Sequence, residues 1–129
     1  MIAMRRPSLV SCVRGTTAVE FAMVLPPVLM LLVGTMSASV AVFTAASLHY
    51  AVEGAARWYS VNDSPPGNVT TTQTQTHAQN NYLGTGSPTF TASLIQPGCG
   101  HQVNATLNVV LGAGMAQWNI PLSATACFP

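Results

Sequence analysis

The sequence predicts an α+β chain: a long N-terminal transmembrane helix that continues into a small head with a short antiparallel β-sheet. Three observations carry this reading. Between Glu20 and Glu53 there is no Asp, Glu, Lys or Arg, and residues 21–43 are nearly all apolar or small. The stretch NDSPPGN, residues 62–68, then places two prolines and a glycine where a helix must stop. Beyond residue 88, apolar residues alternate with polar ones in the period of two expected of strands with one buried face.

The first element is a basic N-terminal segment. Of the four Arg, Arg5, Arg6 and Arg14 precede the apolar run, only Arg57 follows it, and there is no Lys. The net charge of +1 therefore averages two unlike ends. Nucleic-acid binding needs a basic face on the folded part, which one Arg cannot supply, so no nucleic-acid partner is expected. Only 5% of the 129 residues are charged, against about a quarter in an ordinary soluble domain.

The second element is the helix. Residues 21–43 would extend about 35 Å at 1.5 Å per residue, and a hydrocarbon core is about 30 Å thick, so the segment can span a lipid bilayer. With the positive residues on its N-terminal side, the leading segment stays in the cytoplasm and the rest crosses. Pro26 and Pro27 fall inside it; each removes a backbone donor and crowds the preceding turn, which predicts a kink or local unwinding. Gly34, Ser37, Ala38 and Ala41 recur at i, i+3, i+4 and i+7 and form a face of small residues suited to close packing. A cleaved secretory signal is the rival reading, with a small-residue site in SASVA, residues 37–41, but signal cores usually run only about 7 to 15 apolar residues. Past the span, residues 46–61 are rich in helix formers, and a continuous helix over residues 16–59 would be about 66 Å long.

The third element, residues 62–88, is a polar linker rich in Thr, Gln and Asn, with room for a short helix over residues 72–83 ended by Gly84. The head follows over residues 89–129. TFTASLI at residues 89–95 is one strand before the Pro97-Gly98 turn. In QVNATLNVVL, Val103, Ala105, Leu107, Val109 and Leu111 share one face; in MAQWNIPL, Ala116, Trp118, Ile120 and Leu122 do. Gly112, Ala113 and Gly114 suit the hairpin turn between them. Phe90 and Trp118 are expected in the core.

The stretch RGTTAVEFAMVLPPVLMLLVG, residues 14–34, resembles the N-terminus of TadE-like pseudopilins of tight-adherence (Flp-type) pilus machines. YAVEGAARWYSV, residues 50–61, is similar to the Ala-rich stretch these proteins carry after the span. In that family a basic leader ends in Gly and a membrane prepilin peptidase cuts after it. The resemblance implies a leader of residues 1–15, a cut between Gly15 and Thr16, and a mature helix of residues 16–61 with Glu20 fifth and Phe21 sixth. Members often carry a second acidic residue near the end of the apolar run, where this chain has GTMSAS, residues 34–39. The expected role is that of a minor, pilin-like component assembled through its N-terminal helix, supporting surface adherence and biofilm formation. Its partners would be the prepilin peptidase, other pilins or pseudopilins, the inner-membrane platform of the machine and the lipid bilayer. It would cross the bacterial inner membrane once, N-terminus cytoplasmic and head periplasmic, or be incorporated into an extracellular pilus. The alternative is a small binding protein of the bacterial envelope, membrane-anchored or secreted through a signal peptide.

The resemblance also accounts for Glu20. Cutting after Gly15 would free an amine on Thr16, four residues earlier on the same helix face, and a carboxylate near a helix N-terminus is favoured by the dipole. Its partner would be that amine, on the same chain or a neighbour. Cys12 would leave with the leader, and outside the cytoplasm Cys99 and Cys127 can oxidise to a disulfide. Metal binding by Cys99, His101, Cys127 and His77 is the rival, without C-x-x-C or H-x-x-x-H spacing to support it. No nucleophile pattern or phosphate loop accompanies His49, His77 or His101, so no enzymatic activity, cofactor or metal is expected.

Overall fold

The computed structural model describes residues 15–113 and 116–129. The basic leader, with Cys12, and Gly114 of the expected hairpin turn lie outside the described residues. Helix α1 (Thr16–Asn62) comprises 47 residues, about 70 Å. It is long and apolar enough to cross a membrane, and its most apolar part is almost uncovered by the rest of the chain. The helix runs without interruption through Pro26 and Pro27, so the local unwinding expected there is not seen. Each proline still deprives the carbonyl four residues earlier, on Ala22 and Met23, of its helical donor.

Above the span, burial on α1 falls on Thr44, Ser47, Leu48, Ala51, Val52, Ala55, Ala56, Tyr59 and the capping Asp63. Steps of three and four place these on one face. Alanine at three of the positions keeps the helix close to the sheet, and Leu48 and Val52 fill the space beside them. The polar members of the stripe are bonded across the head: Thr44 Oγ1 lies 3.1 Å from Thr85 Oγ1, and Ser47 Oγ accepts from the Leu83 N–H at 2.8 Å.

Strands β1 (Thr89–Gln96), β2 (Gly100–Ala113) and β3 (Ala116–Phe128) form an antiparallel sheet in the order β1-β2-β3. The expected α+β architecture is thus the one observed, with both outer strands longer at their ends than the alternation alone marked. Val103, Ala105, Leu107 and Val109 turn one face of β2 to the helices, joined by Phe90 of β1 and Ala124 of β3. Burying a side chain such as Val103 or Leu48 contributes about 1.5–3 kcal/mol, and these residues form one contiguous core. Trp118, however, is exposed rather than in the core. Its pair across the ladder is Leu111 and that of Ile120 is Val109. The helix covers the β2 side of these pairs better than the β3 side.

Helix α2 (Thr71–Asn81) packs between α1 and β1 through buried Thr74 and Ala78. It begins one residue before the expected range and ends two earlier. A capping box starts it: Thr70 Oγ1 accepts from the Gln73 N–H at 3.2 Å, and Gln73 Oε1 accepts from the Thr70 N–H at 2.9 Å. T-x-x-Q at residues 70–73 is legible in the sequence as a start signal, and it offsets the indifferent helix propensity of Thr and Asn.

Candidate functional site

Two regions of the chain gather functional chemistry, one at the foot of α1 and one in the head. At the foot, Gly15 is the N-cap of α1, with helical backbone angles and no side-chain capping bond. Among the described residues α1 runs from Thr16, and Gly15 ahead of it already has helical angles. Glu20 follows one turn later, exposed, and Phe21 beside it is exposed as well. A carboxylate in the second turn faces the positive end of the helix dipole. Thr35, Ser37 and Ser39, further along, return their hydroxyls to backbone carbonyls of α1, on Leu32 at 2.8 Å, Val33 at 3.0 Å and Thr35 at 2.8 Å. These polar residues are thereby compatible with an apolar surround.

The small-residue face meets an element that the sequence reading did not anticipate. Ser37 Oγ lies 3.4 Å from the Gly112 carbonyl oxygen, so the β2–β3 hairpin reaches down along α1 to this level. Ser37 and Ala41 are partly covered there, while Ala38 stays exposed.

In the head, Cys99 and Cys127 are joined by a disulfide, with their Cα atoms 5.3 Å apart. It ties the turn after β1 to the end of β3. Gly100, next to Cys99, has φ +76°, and a Cβ there would collide with the Phe128 carbonyl. Only glycine lets the chain pass from Cys99 into β2 so close to the last residues of β3. With both thiols in the disulfide, the metal set of two Cys and two His does not form. Among the described residues no three or more His, Cys, Asp or Glu gather as metal ligands would.

Asp63 organises the upper end of α1. Its Oδ1 accepts from the Gly67 N–H at 2.7 Å and the Val69 N–H at 3.1 Å, and its Oδ2 lies 3.0 Å from His101 Nε2. The Val69 N–H, then His101, hold the Asp63 carboxyl below its ordinary range against the opposing effect of burial, with the Gly67 N–H and the charge of His101 adding to them. Tyr59 packs edge-on to His101, ring centroids 4.4 Å apart, and burial, then the Asp63 charge, push its hydroxyl above the ordinary phenol range. Tyr59 Oη and His101 Nδ1 are buried without a hydrogen-bond partner among the described residues. The cluster is a latch that joins the end of α1, the following loop and β2. The sequence reading found no pattern around His101. Asp63 and His101 stand 38 residues apart, and no local pattern pairs them.

A second feature of the head is an open cleft of about 760 Å³ beside the disulfide, bordered by Tyr50, Glu53, Arg57, His77 and Phe128 among others. His77 on its wall is stacked on Trp58, centroids 4.7 Å apart. It brings together Glu53 and Arg57, which leave Asp63 as the other charged side chain beyond the apolar run.

Comparison with curated proteins and with solved structures found no match. The family model described as TadE-like protein matches residues 15–57, from the N-cap glycine through the apolar span to the alanine-rich stripe of α1. Over those residues the chain is similar to the TadE-like family, the resemblance that the RGTTAVEF and YAVEGAARWYSV segments implied.

Proposed function

We propose that this chain is a minor, pilin-like component of a tight-adherence pilus machine, cut by a prepilin peptidase between Gly15 and Thr16 and assembled through α1. The observation that carries the reading is that the TadE-like match begins at residue 15, where the basic segment would end, with Glu20 following at the mouth of the apolar run. A cut there would release a helix that needs no rearrangement to act as a subunit. The arginines ahead of the span hold the N-terminus in the cytoplasm and direct the head to the periplasm. Glu20 then meets a mature N-terminal amine, its own or a neighbour's. Neighbouring helices satisfy the Ala22 and Met23 carbonyls that Pro26 and Pro27 leave without helical donors. In this role the chain supports adherence and biofilm formation as a structural part and not as an enzyme.

The hairpin contact at Ser37 weighs against the secretory alternative. A signal peptidase cut near Val42 would remove the helix surface on which Gly112 rests. The N-terminal residue of the membrane-extracted protein tests the proposal. A start at Thr16 supports it, a start near Val42 makes the segment a signal peptide, and an uncut chain makes it a plain anchor.

A further inference from the structure

The β2–β3 hairpin reaches below the head along a helix whose surface there is apolar. The apolar run of residues 21–43 is about 35 Å long, whereas a hydrocarbon core is about 30 Å thick. With Glu20 just outside one boundary, the core extends to about residue 40, which leaves Ser37 roughly 5 Å inside the other. Through its contact with Ser37, Gly112 is at that level too.

The hairpin's composition matches this position. No Asp, Glu, Lys or Arg occurs after Asp63. On the face turned toward α1, Trp118 is 57% exposed and Ile120 38%, and on the other face Val110 is 59% exposed. These residues continue the uncovered apolar surface of α1, on which Val33, Met36 and Val40 are also exposed. Backbone pairing sets how deep the hairpin can go. β1 pairs with β2 only as far as Thr106, so from Leu107 onward the ribbon has β3 on one side and no strand on the other. Unpaired N–H and C=O groups are not tolerated in hydrocarbon but are met by water and headgroups at its edge. Trp, with an apolar body and a polar N–H, belongs at that edge.

The geometry points to a second membrane contact: the β2–β3 hairpin lies in the outer interface of the bilayer that α1 crosses, with Trp118, Ile120 and Val110 against lipid at the headgroup–acyl boundary. The head is thereby seated on the membrane and not held above it on a free stalk. This rests on the reading of α1 as a membrane span.

The test uses the full chain in phospholipid vesicles with Trp58→Phe, which leaves Trp118 as the sole tryptophan. Lipids brominated high or low on the acyl chain report depth, and aqueous acrylamide reports exposure to water. The expected result is loss of most Trp118 emission with the high bromines, a smaller loss with the low ones, and shielding from acrylamide. Quenching by acrylamide with none by bromolipid overturns the proposal. So does shielding from both, which would mean that a second copy of the chain covers the face, and so does strongest quenching by the low bromines. A companion chain, Leu31→Trp with Trp58→Phe and Trp118→Phe, reads the helix alone. Its quenching by the low bromines, with none at Trp118, sinks the hairpin contact and leaves the span intact. Absence of quenching in both chains refutes the span, and the hairpin contact with it.

Discussion

Removing the Cys99–Cys127 disulfide, by the double substitution Cys99→Ser and Cys127→Ser, measures how far the small head depends on a crosslink. The two residues are separated by 28 positions, for which the chain-entropy relation gives about 3.6 kcal/mol at 25 °C. For a folded unit of some 60–100 residues, each kcal/mol corresponds to about 4–8 °C, so the loss converts to roughly 15–30 °C in Tm. The effect should reach the whole head because the bond joins the β1–β2 turn to the end of β3, across the strand that carries most of the sheet's buried core residues. The assay is thermal unfolding of the detergent-solubilised chain followed by near-ultraviolet circular dichroism, which reports the packed Tyr59, Tyr82 and Trp58 rings of the head rather than the long helix. The parent under reducing conditions serves as the second arm. A fall of less than about 5 °C in both arms would refute the reasoning, because the unfolded head would then gain almost no freedom from losing the bond.

Four other outcomes are expected. Gly15→Leu should leave the full-length chain in the membrane, and mass spectrometry showing a normal Thr16 start would remove the cleavage assignment. Glu20→Ala should insert and be cut as the parent is, since it removes a charge that is costly in lipid, but should lose crosslinking to pilus components and adherence; normal assembly would make Glu20 a tolerated interfacial charge. Gly100→Ala should destabilise the head by about 1–3 kcal/mol through its positive φ and the collision with the Phe128 carbonyl, read as a lowered Tm. The Asp63 carboxyl is depressed in the folded head, so its contribution is complete above the ordinary carboxylate pKa of about 3.9 and is lost as pH falls through the lower folded value. Asp63→Asn should flatten the dependence of Tm on pH below about pH 4, and an unchanged slope would assign it to other groups.

The sequence by itself determined the elements and the faces they bury. An apolar run with no charge between Glu20 and Glu53 marks a helix long and apolar enough to cross a membrane. Alternation through Val103, Ala105, Leu107 and Val109 marks the inner face of β2, all four of which are buried. Both are legible because periodicity follows directly from the local geometry of helix and strand. The T-x-x-Q start of α2 was equally local. Tertiary structure alone decided how far each buried face is covered. The same alternation that identifies Val103 also runs through Trp118, yet the helix shields one and leaves the other open. Period reports which face is apolar, not where its cover ends. The small residues around Ser37 likewise promised a close contact without naming its partner, which is Gly112, 75 residues away. Asp63 and His101 met for the same reason: their pairing depends on where the end of α1 falls against the start of β2. That position is set by the alanine stripe and the sheet register acting together, and long-range packing of this kind leaves no spacing in the chain to read.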